Sequence, residues 1–346
     1  MSATYRYTMK DLKTLQSLPL ECKIGKTQAK ILEFGTHHNG KIYISFSGGK
    51  DSTVLLDLAR RIYPDIPAVF CDTGLEYPEV RDFVKTIDNV IWIKPEVSFK
   101  DVIETYGYPV IGKEVALMIR SARNSKQWAL NALKGLNKDG TPSKFKEKRF
   151  PKFEYLMEAP FLISDRCCDE IKEKPFEKFQ RREKLHPIIG ITARESMRRQ
   201  QAWLMTGCNS FAKGGKSKPL SFWTEQDILQ YLKKYCRLGY CNIYGDIIEV
   251  DDTGKRKNNN AEDRAQLRLD LSGVAGIEIK PPPPPPPRLS LTGLKRTGCM
   301  FCAFGISQDG NPNRFQRMKL THPRLYDYCI NKLGCGKVLD YIGMKY

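Results

Sequence analysis

Apolar residues recur along this chain with two periods, and the switches between them outline its elements. Ile42, Tyr43, Ile44, Ser45 and Phe46 make a short β-branched and aromatic run; a glycine turn follows, and Leu55, Leu58, Ala59 and Ile62 then recur at helical spacing. The same order returns with a strand at Ala68–Cys71, a helix face of Val80, Phe83, Val84 and Ile87, and a strand at Val90–Ile93. Alternating strands and helices predict an α/β fold built on a doubly wound parallel sheet. Ahead of it, residues 1–40 predict a helical lead-in carrying Leu12, Leu15 and Leu18, then Ile31 and Leu32, up to the break at His37, His38, Asn39 and Gly40. Farther on, Pro187–Ile191 predicts another strand and Glu195–Leu204 a basic helix. Thr224–Tyr235 predicts a helix capped by Thr224, with Ile228, Leu229 and Leu232 turned inward.

Three stretches interrupt this grammar. Between Lys113 and Lys152, eleven Lys or Arg face three acids, an excess of +8 in forty residues. This basic insertion reads either as a solvated helix-loop surface or as a contact for nucleic acid, with Arg120, Arg123 and Lys126 as phosphate contacts. Ile247–Asp252 followed by Thr253, Gly254 and Lys255 reads as a hairpin, and Arg256–Arg264 as a polar insertion. Seven consecutive prolines, Pro281–Pro287, force a polyproline II segment whose default role is a stiff spacer. The chain thereby divides into the lead-in 1–40, an α/β domain 41–240 that holds the basic insertion 113–152, a hairpin, polar insertion and spacer over 241–288, and a C-terminal region 289–346.

Composition narrows the setting. The 346 residues carry 57 Lys+Arg against 39 Asp+Glu, a net charge of +18, which favours anionic partners: nucleic acid or a phosphorylated small molecule. Mean hydropathy is -0.46. No run approaches the roughly 20 apolar residues of a bilayer-spanning helix, so no membrane partner is expected. Met1–Thr14 lacks the apolar stretch of a secretory signal, which gives a cytoplasmic expectation. In that reducing setting the eleven cysteines read as metal ligands or reactive thiols rather than as a disulfide framework.

The densest chemical signal is Ser47-Gly48-Gly49-Lys50-Asp51-Ser52, set between a strand and a helix start. Two glycines let the backbone turn sharply and approach a ligand, N–H groups at the helix N-terminus receive phosphate oxygens, Lys50 adds a point charge, and Ser47 and Ser52 add hydroxyls. The spacing is not that of a Walker A loop. The second signal is Cys167-Cys168 with Cys299-Met300-Phe301-Cys302, two close pairs that suit a four-coordinate metal or a cubane cluster. Cys208 is a substitute ligand in this reading, and Cys22, Cys71, Cys236, Cys241 and Cys329 read as thiols without a role.

At the glycine loop the chain resembles the PP-loop, or adenine nucleotide alpha hydrolase-like, superfamily. Asp72-Thr73-Gly74-Leu75-Glu76-Tyr77-Pro78-Glu79, Gly190-Ile191-Thr192-Ala193-Arg194-Glu195-Ser196 and Pro219–Ile228 make it similar to the phosphoadenosine phosphosulfate (PAPS) reductase family, over about residues 40–240 and again near Thr297. The resemblance implies that Asp72, Thr73, Gly74 and Glu76 line the adenosine site. It also implies that Gly190 and Arg194 face the ligand, with Arg198 one helical turn on as support and Arg199 left to solvent. Likeness to the cluster-bearing adenylyl sulfate (APS) reductases implies a 4Fe-4S cluster on Cys167, Cys168, Cys299 and Cys302.

Two departures set the functional expectation. Sulfonucleotide reductases carry a degraded phosphate loop, whereas this loop is intact. Their mobile Glu-Cys-Gly-x-His tail is matched here only by Cys335 in Lys332-Leu333-Gly334-Cys335-Gly336-Lys337, followed by apolar Val338, Leu339, Tyr341 and Ile342. The expected function is therefore ATP cleavage between the α- and β-phosphates to adenylate an acceptor for sulfur transfer. Lys50, Asp51 and Arg194 are the expected catalytic residues, with Mg²⁺ near Asp51. The alternatives are a sulfonucleotide reductase working with a thioredoxin-like reductant, in place of a sulfur donor, and a non-catalytic nucleotide-binding module of a nucleoprotein system.

Overall fold

A computed structural model describes residues 5–212, 214–250 and 288–346. The lead-in forms α1 (Met9–Gln16) and α2 (Leu20–His37). Thr8 and Asp11 cap the first of these reciprocally, satisfying two orphan donors. Leu12 and Ile31 are buried, whereas Leu32 is half exposed on the outer side of α2.

β1 (Ile42–Ser45), α3 (Lys50–Arg60), β2 (Ala68–Cys71), α4 (Pro78–Lys85) and β3 (Val90–Ile93) follow the predicted grammar. The chain then runs through α5 (Phe99–Thr105), β4 (Val110–Ile111) and three insertion helices, α6 (Lys113–Arg123), α7 (Gln127–Leu133) and α8 (Lys144–Glu147). It returns by α9 (Lys174–Glu183) to β5 (His186–Ile189). The sheet is wholly parallel, in the order β3-β2-β1-β5. Side chains alternate across it as the pleat requires. Ile42, Ile44, Ala68 and Phe70 join the large core with Ile31, Phe34, Leu55 and Leu58, while Tyr43 and Val69 meet Phe179 of α9 on the opposite face. Helices thus cover both faces, the arrangement that the near-continuous apolar strands call for.

The predicted helix over 195–204 begins later than its pattern implied. Thr192 and Glu195 close a short turn over Ala193–Glu195, Ser196 is extended, and its hydroxyl caps α10 (Met197–Thr206) by accepting the Arg199 N–H at 3.2 Å. α11 (Glu225–Lys234) starts at the predicted cap, with Asp227 answering Thr224. Asp227 also holds the buried ammonium of Lys23 at 2.7 Å, which ties the lead-in to this helix.

The predicted hairpin pairs differently. β6 (Ile247–Val250) runs antiparallel to β7 (Arg288–Leu291), on the far side of the proline run. The predicted turn Thr253–Lys255, the polar insertion 256–264 and the prolines 281–287 lie outside the described residues. β8 (Ala303–Phe304) pairs in parallel with β4, joining the C-terminal region to the insertion.

The insertion has a small core of its own, with Val110, Ala116, Ile119, Ala129, Leu133 and Leu156 at its centre. Two of its predicted phosphate contacts face inward. Arg123 donates to the carbonyls of Leu156, Ala159 and Phe161 at 2.7 to 2.9 Å, and Arg120 pairs with buried Asp165 at 2.7 Å. The Arg123 guanidinium thereby closes backbone acceptors that a small core leaves open. Lys126 remains exposed. Among the described residues no helix is long and apolar enough to cross a membrane.

Candidate functional site

The carboxyl ends of β1, β2 and β5 open into a cavity of about 680 Å³, where a doubly wound sheet places its ligand crevice. Ser47, Gly49, Lys50, Asp51 and Ser52 form one wall, and Glu76, Gly190, Cys71 and Cys168 line others. Gly48 adopts φ +67 and passes so close to α4 that a Cβ there would meet Val80 and Val84 below 3 Å. Gly190 lets the end of β5 touch the backbone of the loop helix, where a Cβ would stand 2.9 Å from the Asp51 carbonyl oxygen. Gly48 is therefore required by its positive φ and by the valine side chains packed against it, and Gly190 by the close approach of two main chains.

Lys50 is buried, with its Nζ 3.2 Å from Asp51 Oδ2 and 3.4 Å from Glu225 Oε1. Burial pushes this ammonium down, but Asp51 and Glu225 outweigh it and hold the group above its ordinary value. The first-turn amides of Asp51 and Ser52 have no intrahelical acceptor, by the geometry of any helix start. Arg199, Lys172, Lys216 and Arg296 bring further positive charge to the lining. Arg199 pairs with Glu195, and Lys172 stands 3.8 Å from Glu76. Lys216 and Arg296 have no acidic partner among the described residues.

Arg194 and Arg198, the arginines carried over by resemblance, are exposed and lie outside the lining; of the three arginines in this segment it is Arg199, left to solvent in the sequence reading, that lines the cavity. The Thr192–Glu195 turn explains the exchange, since it sets Arg194 outward and lets α10 start one residue after Ser196. Asp72 pairs with Arg81 at 2.9 Å and accepts from the Gly74 N–H at 3.3 Å, while Thr73 grips the Glu76 carboxylate through its own N–H and hydroxyl. Asp72, Thr73 and Gly74 thus shape the turn, and Glu76 presents it to the cavity.

The four predicted cysteines come from two distant segments. Cys167 and Cys168 precede a π-helical turn, Asp169–Glu173, and Cys299 and Cys302 precede β8, in a turn held by the Met300 N–H donating to Leu75 O at 2.8 Å. All eleven cysteines are free. Burial raises the Cys167, Cys168 and Cys302 thiols, Cys302 to about 12, and in each case the neighbouring Cys299 sulfur adds to the shift. The four are therefore within electrostatic reach of one another. Lys172 is held high because Cys299 and Glu76 overcome its burial. Among the described residues no group of three or more His, Cys, Asp or Glu is spaced to hold a single metal ion. Cys208 bonds Ser221 instead, at 3.4 Å, and has no other cysteine beside it. Cys335 is buried in the helix Cys335–Tyr341, its free thiol beside that of the buried Cys329, and it does not line the cavity.

Sequence reasoning did not single out Lys172, Lys216, Glu225, Tyr244 or Arg296 as site residues. Lys172 had a signal in its position, one helical turn after Cys168. The others reach the cavity only through tertiary packing.

A model of the phosphoadenosine phosphosulfate reductase domain matches residues 41–110 and 88–303. The chain belongs to this family. The phosphoadenosine 5'-phosphosulfate reductase of Proteus mirabilis is 23% identical over 200 residues, 58% of this chain and 64% of the relative. The adenosine 5'-phosphosulfate reductase of Halalkalibacterium halodurans is 28% identical over 76 residues, 20% of this chain and 33% of the relative. An uncharacterised protein of Methanocaldococcus jannaschii is 38% identical over 85 residues, 23% of this chain and 20% of the relative. The chain thus spans at most 64% of the length of these curated relatives. A solved structure of phosphoadenylyl-sulfate (PAPS) reductase from Candida auris aligns at 13% identity and a TM-score of 0.38, over 69% of this chain and 92% of that one, a likeness too loose to add to the family assignment.

Proposed function

We propose that this protein binds ATP in the cavity and cleaves it between the α- and β-phosphates, adenylating an acceptor that then takes up sulfur. The observation that carries this reading is the intact loop at Ser47–Ser52, with Lys50, Asp51 and Ser52 at a helix start lining a cavity of nucleotide size. In the reaction an acceptor oxygen attacks the α-phosphorus, the bond to the bridging oxygen breaks, and pyrophosphate leaves. Charge accumulates on that leaving group, where Lys50 and the loop amides stabilise it. Lys216 and Arg296, free of acidic partners, would follow the outer phosphates. Asp51, which Lys50 engages through one carboxylate oxygen only, would hold Mg²⁺, and the ion would neutralise charge on the phosphates. Sulfur then displaces AMP from the activated acceptor.

The four thiols suit an iron-sulfur cluster as a donor set. Each thiolate of a cubane binds a different iron, so its sulfurs stand farther apart than those around one tetrahedral zinc. The Cys167, Cys168 and Cys302 thiols, each raised in part by the Cys299 sulfur, lie near enough to one another to support such a shared group. Cys167, Cys168, Cys299 and Cys302 would hold the cluster, which when bound supplies iron that can carry sulfur. A nucleic-acid acceptor is supported by Lys126, Lys134, Lys138, Lys144, Lys148 and Lys152, exposed lysines of the insertion for which no acid stands at ion-pair distance among the described residues.

A pyrophosphate-release assay with ATP and candidate acceptors tests the reading, and ATP-dependent pyrophosphate with AMP appearing on the acceptor is the expected result. The names of the Proteus and Halalkalibacterium relatives favour a second reading, reduction of a sulfonucleotide to sulfite. Turnover of adenylyl sulfate or PAPS with a thiol donor, without ATP cleavage, would establish it in place of the first. The burial of Cys335 against Cys329 weighs against that thiol as the attacking group.

A further inference from the structure

Hydroxyls meet three backbone donors of the phosphate loop. Ser52 Oγ accepts from the Ser47 N–H at 3.2 Å and Ser47 Oγ from the Gly49 N–H at 3.4 Å, both within the loop itself. The third hydroxyl comes from 194 residues away: Tyr244 Oη accepts from the Lys50 N–H at 3.1 Å. Tyr244 ends the short turn Asn242–Tyr244, is 2% exposed, and bonds Thr297 Oγ1 at 2.8 Å. A Cβ on Gly49 would stand 3.3 Å from both of these oxygens, so the hydroxyl pair lies in contact with the loop rather than across a solvent gap.

The Lys50 N–H is the first amide of α3, at the positive end of its dipole, and is the kind of donor that a bound phosphate takes at a helix start. Here a neutral hydroxyl holds it. We propose that Tyr244 and Thr297 form a stop in the cavity that determines the length of phosphate tail it accepts. With the stop closed, the amides of Asp51 and Ser52 and the Lys50 ammonium receive a single phosphate-type group, as in AMP or adenylyl sulfate, and nothing moves. A tail with β- and γ-phosphates reaches the Lys50 N–H only by displacing the phenol, which lowers its affinity by the strength of the contacts broken. The stop thereby sets the ratio of ATP to monophosphate binding. This inference rests on the reading that the cavity binds an adenine nucleotide.

The test is calorimetric titration of the full chain with ATP, AMP and inorganic tripolyphosphate, comparing wild type with Tyr244→Phe and Thr297→Val. Phenylalanine keeps the ring in the core and removes only the oxygen. The expected result is about five- to tenfold tighter binding of ATP and tripolyphosphate to Tyr244→Phe, with AMP unchanged, and a smaller gain in the same direction for Thr297→Val, which leaves the phenol but removes its partner. An ATP to AMP ratio that stays the same or falls in Tyr244→Phe, while nucleotides still bind, overturns the stop and leaves the nucleotide reading standing. Failure of every adenine nucleotide to bind either protein, with tripolyphosphate still tighter on Tyr244→Phe, overturns the nucleotide reading and leaves the stop standing.

Discussion

The phosphate-loop end of the sheet and the basic insertion both look cationic in the sequence, yet they use charge in opposite ways. Around the loop, Lys50 is buried and matched to Asp51 and Glu225, Arg199 to Glu195, and Lys172 to Glu76 and Cys299. Each of these three cations is fixed in place by a partner, which keeps its orientation and its charge, whereas Lys216 and Arg296 of the same lining have no acid beside them among the described residues. In the insertion the guanidiniums of Arg120 and Arg123 turn inward to serve a carboxylate and three carbonyls and Lys113 pairs with Asp169 and Glu173, while Lys126, Lys134, Lys138, Lys144, Lys148 and Lys152 stay outside with no acid at ion-pair distance among the described residues. Charge density along a chain therefore does not say which cations face a ligand. That is decided by which of them the backbone needs.

The comparison breaks first at Lys50. Replacing it with Met should weaken ATP binding by about 3 kcal/mol, roughly a hundredfold, because a charged donor to phosphate is lost and Asp51 and Glu225 are left to repel the tail. Calorimetry reads the loss, and an unchanged affinity would show that Lys50 only satisfies its neighbours. In the insertion the matching change is Arg123→Ala. It leaves three carbonyls without their donor and should cost about 2 kcal/mol in chemical denaturation, with no change in the salt dependence of nucleic-acid binding. Loss of salt dependence without loss of stability would return Arg123 to the ligand-facing set.

Charge reversal at Lys134, Lys138, Lys144 and Lys148 should do the opposite. Stability should stay within about 0.5 kcal/mol, and the slope of log affinity for single-stranded DNA against log salt should become shallower, by roughly 0.7 for each phosphate contact removed. A slope that does not change would assign these lysines to solvation alone.

A separate effect is one of pH. Burial, with Glu76 beside it, pushes the Cys71 thiol up to about 12. An unfolded cysteine releases its proton near 8.5. The folded state therefore binds this proton more tightly, so its contribution is full below the unfolded value and declines as pH rises from there toward about 12. Denaturation midpoints across that window should fall with pH, and less so in Cys71→Ala; parallel curves would show that another group carries the dependence.

Much of this protein was determined by the sequence alone. The alternation of Ile42-Tyr43-Ile44 and of Ala68-Val69-Phe70 specifies strands buried on both faces, and Thr224 with Asp227 specifies where α11 begins. Gly48, Gly49 and Lys50 specify the loop, because only a glycine turn can lead a strand into a helix start so closely. These are local matters, settled by sterics, pleat and capping over a few residues. Tertiary structure decided the rest. The exchange of Arg194 for Arg199 turned on a single extended residue at Ser196. The hydroxyl of Tyr244 against Lys50 and the pairing of β6 with β7 across the proline run both join partners far apart in the chain. Such contacts form because burying apolar surface draws distant segments together, and the polar groups carried along must then find partners wherever packing has left them.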